Sequence, residues 1–170
     1  MSAWDSTGLS PKDQPRFDYV NRDQIPEELK EVFDSIVGSQ RGVGTLSNGA
    51  LPGPFNGWMY TDPEMARALD GIGMAVRSNT SNVPKTMKEV AICVIGAHFR
   101  SNVEFWAHSR IALAAGVRQE VLDSIYNSEK PSFSDNGEEP FQKAAYDMTM
   151  EYLDGYRVSD ETYQTVLDLL

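Results

Sequence analysis

"VPKTMKEVAICVIGAHFRSNVEFWAHSRIALAAGV", residues 83–117, decides the fold. Pro84 suits a first helical turn, and beyond Glu89 the segment is apolar on all sides, the pattern of a helix enclosed by protein. Gly96 and Ala97 would let a neighbour approach closely. The period breaks near Arg100, and a second helix is predicted from about Ser101 to Ala115, with Gly116 as its C-terminal glycine. Two adjacent helices, each nearly apolar all round, make the centre of a helical bundle.

The same period extends outward. Upstream, "IPEELKEVFDSIV" places Pro26 at a first helical position, with Leu29, Val32, Phe33 and Ile36 on one stripe. "DPEMARALDGIGMAVRS" begins with Asp62 as N-cap and Pro63 behind it, and its expected buried stripe is Met65, Leu69, Ile72 and Val76. Downstream, "RQEVLDSIYN", "FQKAAYDMTMEYLDGY" and "SDETYQTVLDLL" predict three more helices. The fold class is therefore all-α, with five to seven helices and no strand. Residues 1–24 have no sustained period and are expected to form an N-terminal arm, leaving residues 25–170 as the helical domain. Residues 38–58, rich in glycine and proline, are expected to be a long functional loop anchored by Leu51, Phe55, Trp58 and Met59. The uncapped terminal "LDLL" predicts either a partner subunit over it or a following helix beyond it.

Composition narrows the function. A formal net charge of -10, with the basic residues scattered, argues against nucleic acid as a partner, because binding phosphates needs clustered Lys and Arg. The longest apolar run, Val90 to Ala97, is too short to span a bilayer, and the N-terminus has no signal-like apolar core. One cysteine, Cys93, allows no disulfide framework within a chain and fits a reducing compartment. A soluble, cytoplasmic protein is expected, with no membrane partner.

Ionisable groups stand out on the two central helices. Ser101, Glu104 and His108 are spaced three and four apart, so they share a face. Most such Glu–His pairs decorate a solvent face. Here Val103, Phe105, Trp106, Ile111 and Leu113 leave almost no hydrophilic side, so both groups are expected to be buried and to point into a common hollow. Glu89 is the lone charge on a face with Cys93, Gly96 and Ala97. It reads equally as a carboxylate favoured by the helix dipole or as a catalytic group. His98 and Arg100, at the helix end, are candidates to hold substrate, although polar groups there are commonly only surface. Cys93 reads as a small buried hydrophobe and Trp106 as core.

"LPGPFNGWMYTDPEMARALDGIGMAVR" followed by "VPKTMKEVAICVIGAHFRSNVEFWAHSRIALAAGVRQEVLDSI" resembles the carboxymuconolactone decarboxylase family, within the superfamily that includes the alkylhydroperoxidase AhpD. The peroxidase pattern is a glutamate, eleven residues, then C-x-x-C-x-x-x-H; Glu89, Ser101, Glu104 and His108 fall on its positions. With Ser101 and Glu104 where the cysteines would stand, thiol peroxidase chemistry has no nucleophile. The decarboxylase branch reads Y-E-W-x-x-H, of which Glu104 and His108 are kept while Val103 and Phe105 replace the aromatic residues. The resemblance implies an AhpD-like helical bundle, a homo-oligomer such as a trimer or hexamer, and a site with no cofactor and no metal.

Loss of CO2 without a prosthetic group needs an electron sink in the substrate, a donor for the enolate oxygen and a proton for carbon. His108 could supply the first protein role and Glu104 the second, with Glu89 orienting His108 or shuttling the proton. Ser101, His98 and Arg100, together with Phe55 and Trp58 from a loop covering the pocket, are the expected substrate contacts. The expected activity is a lyase, a decarboxylase acting on a small unsaturated lactone or carboxylic acid. The same groups would serve an isomerase or cyclase acting on an enolisable carbonyl compound, and a non-catalytic ligand-binding oligomer is the reading from another class.

Overall fold

A computed structural model describes residues 17–38, 44–78 and 82–170. Among the described residues the regular elements are a 3-10 turn, Arg22–Gln24, and the helices α1 (Glu27–Gly38), α2 (Gly53–Trp58), α3 (Pro63–Ser78), α4 (Lys85–His98), α5 (Asn102–Ala115), α6 (Gln119–Tyr126), α7 (Glu139–Gly155) and α8 (Asp160–Leu169). The protein is all-α, and the one antiparallel bridge among the described residues, Asn21 with Ala50, belongs to no strand. Eight helices exceed the expected five to seven. The added one is α2, inside the segment expected to be loop, where Pro54 pre-sets the helical φ of the first turn. Residues 39–43 of that segment lie outside the described residues. The helices divide between two compact units, with the boundary at Ser81 and Asn82.

The N-terminal unit holds α1 to α3 around Ile25, Leu29, Val32, Phe33, Ile36, Leu51, Met59 and Ala66. The α1 stripe is buried as its spacing predicts. The α3 stripe is not: Met65, Ile72 and Val76 are exposed, while Ala66 and Asp70 are buried. The helix is rotated because small Ala66 packs closely and Ser35 Oγ donates to Asp70 Oδ2 at 2.7 Å, a polar contact that periodicity does not register. Residues 18–24, expected as part of a loose arm, are tied to this unit. Asn56, 3% exposed, accepts from the Val20 amide and donates to the Asp18 carbonyl, both at 3.1 Å. Arg22 forks onto Asp34 at 2.6 and 2.7 Å.

The C-terminal unit is built around α4, which packs on α5, α6 and α7. Val90, Cys93 and Val94 of α4 meet Phe105 and Ala112 of α5, Val121, Leu122 and Ile125 of α6, and Ala144 and Ala145 of α7 in one core. Gly96 sets the distance between α4 and α5: a Cβ there would lie 3.2 Å from the Phe105 nitrogen. The α4–α5 turn is short because Arg100 adopts a left-handed conformation, φ 52°. The Ser101 amide then reaches the Gly96 carbonyl at 2.8 Å and the Arg100 amide reaches Ala97 at 3.0 Å, closing a Schellman turn. At the other end, Gly116, φ 106°, terminates α5 as expected. Arg118 clamps the α6–α7 connection, donating to both Glu139 oxygens and to the Ser132 carbonyl.

Candidate functional site

Glu89 and His108 meet across the α4–α5 interface. The face of α4 that carries Glu89, Cys93 and Gly96 is the face that Gly96 lets α5 approach, so a carboxylate one turn inside α4 reaches the middle of α5. His108 Nδ1 lies 2.7 Å from Glu89 Oε2. Both residues are buried, at 4% and 8% exposure. A carboxylate can only accept, so the imidazole donates Nδ1–H to it, which leaves Nε2 as the working nitrogen. Nε2 faces Glu104 Oε1 at 3.3 Å. The result is a Glu–His–Glu row with one buried carboxylate and one near the surface.

Glu104 departs from the expectation of burial, its side chain being 41% exposed. The buried stripe of α5 is Phe105, His108, Ser109 and Ala112, centred about a quarter-turn away from Glu104, so the acid sits on the flank of the stripe. The row therefore opens to solvent at Glu104 and closes at Glu89. Cys93, one turn after Glu89, is fully buried, and burial, with the charges of Glu89 and Glu104 adding, pushes its thiol well up. It stays a thiol and acts as a small apolar neighbour of the pair.

The remaining sequence candidates are placed differently. His98 lies nine residues after Glu89, half a turn round α4, and points away from the pair; its ring contacts Phe99 edge-on and lines a separate cleft. Arg100 is exposed, and its visible role is the left-handed turn position. Ser101 is exposed at the start of α5; its side chain caps nothing, although its carbonyl accepts the Phe105 amide at 2.9 Å. Phe55 and Trp58 belong to the N-terminal unit, where they pack edge-to-face on each other and against its core. Trp106, expected as core, is only half-buried and carries the Arg110 guanidinium 4.7 Å above its ring.

The direct Glu89–His108 contact was not visible from spacing. Nineteen residues separate the two. The usable signal is the lone charge of Glu89 on an otherwise apolar face, together with a close-approach glycine on that face. Among the described residues no group of three His, Cys, Asp or Glu side chains is arranged to hold a metal ion. Comparison with family models, curated proteins and solved structures gives no match.

Proposed function

We propose that this chain is a cofactor-free carboxy-lyase of the carboxymuconolactone decarboxylase type, an AhpD-like helical subunit of a homo-oligomer, acting on a small unsaturated lactone or carboxylic acid. The observation that supports this reading is the row Glu89–His108–Glu104, with one closed and one open end. Buried Glu89 fixes the tautomer and ring plane of His108 and stabilises the imidazolium. The substrate binds at the open end, its carbonyl oxygen toward Nε2.

As the C–C bond to the carboxylate breaks, CO2 leaves and its electron pair moves through the conjugated system onto that oxygen. His108 hydrogen-bonds the enolate. Glu104 delivers a proton to carbon as the enolate collapses, and its half-exposed position lets water return the proton, so that the net change is one carboxylate and one proton converted to CO2 and a C–H bond. Isomerisation of an enolisable carbonyl compound uses the same two proton positions without CO2 loss.

A screen of unsaturated lactones and of β-keto and vinylogous acids, read by CO2 release and mass shift, tests the proposal. Wild type should turn over at least one such acid. Glu104→Gln and His108→Ala should lose turnover by about 10²–10⁴-fold while keeping their circular dichroism. Equal turnover in the His108 variant would remove His108 from the chemistry, and binding without conversion across the screen would favour the non-catalytic oligomer.

A further inference from the structure

The sequence contains three Asn–Gly pairs, Asn48–Gly49, Asn56–Gly57 and Asn136–Gly137. At such a pair the glycine nitrogen can attack the asparagine Cγ, because glycine has no Cβ to crowd the approach and its backbone turns freely. The fold treats the three differently. Asn56 is 3% exposed within α2, and both ends of its amide are held, Oδ1 by the Val20 amide and Nδ2 by the Asp18 carbonyl, each at 3.1 Å. Asn48 Oδ1 accepts the Ala50 amide at 3.1 Å, and the Gly49 nitrogen that would attack donates to the Leu46 carbonyl at 2.8 Å. Asn136 and Gly137 are exposed in the connection before α7, and a Cβ added at Gly137 would meet no atom within 4 Å. The Asn136 backbone amide donates to Ser134 Oγ at 3.4 Å, whereas its side-chain amide and the Gly137 N–H have no partner among the described residues.

We propose that Asn136 is a site of spontaneous deamidation, and that the isoaspartate formed there loosens the connection between α6 and α7. The Gly137 nitrogen loses its proton and bonds to Asn136 Cγ, the Cγ–Nδ2 bond breaks, and ammonia leaves, which closes a succinimide ring. Water then opens the ring. Opening at the side-chain carbonyl gives aspartate; opening at the main-chain carbonyl gives isoaspartate, in which the chain runs through Cγ and is longer by one methylene. That insertion falls inside a closed clamp. The Ser134 amide on one side of it donates to Glu139 Oε2 on the other at 2.6 Å, and Arg118 holds both Glu139 oxygens. The Asn136 carbonyl, which accepts the Glu139 amide at 3.3 Å, leaves the chain as a carboxylate beside Asp135 and Glu138, whose charges repel it.

Full-length protein held at 37 °C and pH 8, its peptides mapped by mass spectrometry against unincubated protein, tests the assignment. Asn136 should convert to a mixture of aspartate and isoaspartate, and faster at pH 8 than at pH 6, because the attacking nitrogen must lose its proton. Asn48, whose hydrogen bonds must open first, should convert about tenfold more slowly, and Asn56 should keep its amide. In protein unfolded by urea all three should convert at similar rates, which ties the difference to the fold. Exchange of the Ser134 amide should quicken in the isoaspartyl fraction, separated by ion exchange, and stay unchanged in Asn136→Gln protein incubated in the same way. An intact Asn136, conversion of Asn48 or Asn56 at the same rate in folded protein, a difference that persists in urea, or unchanged Ser134 exchange in the isoaspartyl fraction would overturn the proposal. None of these readouts depends on turnover at the acid–base row.

Discussion

Glu89→Ala takes the carboxylate from His108 Nδ1–H at a position from which water is nearly excluded, with the two side chains 11% and 5% exposed. The hydrogen bond is short, 2.7 Å, and has an ionised partner, so its removal should cost about 2–3 kcal/mol. In a chain of this size each kcal/mol moves the melting midpoint by about 2–4 °C, which predicts a fall of about 4–12 °C. Glu89→Gln keeps an acceptor oxygen of the same shape, so it should lose less than about 1 kcal/mol. It also removes the charge that supports the imidazolium, and turnover of the acid found by screening should fall about 10²–10⁴-fold. Thermal unfolding followed by circular dichroism, with turnover measured on the same samples, separates the two effects. An unchanged midpoint in Glu89→Ala, or full activity in Glu89→Gln, would refute the reasoning.

Arg100→Gly removes the strain of a side chain at φ 52° and should stabilise the C-terminal unit by about 1 kcal/mol, with activity retained; a selective rise in KM would instead make Arg100 a substrate ligand. Cys93 should resist iodoacetamide at pH 8 in the folded protein and react once it is unfolded, because burial and the nearby carboxylates keep the thiol protonated; rapid labelling with loss of activity would revive a redox reading. The Arg118 hydrogen bond, then the Ser134 amide, holds the Glu139 carboxyl below its ordinary range. A depressed folded value means that the clamp's stabilisation is complete above the unfolded glutamate range and is lost as pH falls through the folded value. The stability gap between wild type and Glu139→Gln, measured by urea unfolding, should therefore close on acidification below about pH 4; a gap that persists there would contradict this.

Helical class and most boundaries were legible because α1, α4, α5 and α6 carry uninterrupted helical spacing, with proline or glycine at an end of the first three. The rotation of α3 was not, since a mean hydrophobic direction ranks Met65 and Ile72 above Ala66, whereas packing favoured the small residue and a Ser35–Asp70 bond. Helix α2 was hidden by its glycines and proline, which composition reads as loop. In the site, spacing placed Glu104 one turn from His108 but could not locate the centre of the buried stripe, which lies toward Phe105 and Ser109. It also grouped His98 with the site because both lie near one turn in sequence, although nine residues of helix carry His98 to the far side of α4. Pairing between helices depends on their rotation and approach, and a one-dimensional pattern holds neither.

The chain has two histidines, one exposed and one buried, so 15N-histidine spectra examine the acid–base row directly. For His108 the account predicts a proton on Nδ1 that exchanges slowly with water and is lost from the spectrum in Glu89→Ala. A wild-type His108 with no proton on Nδ1, exchanging as fast as exposed His98, would contradict it.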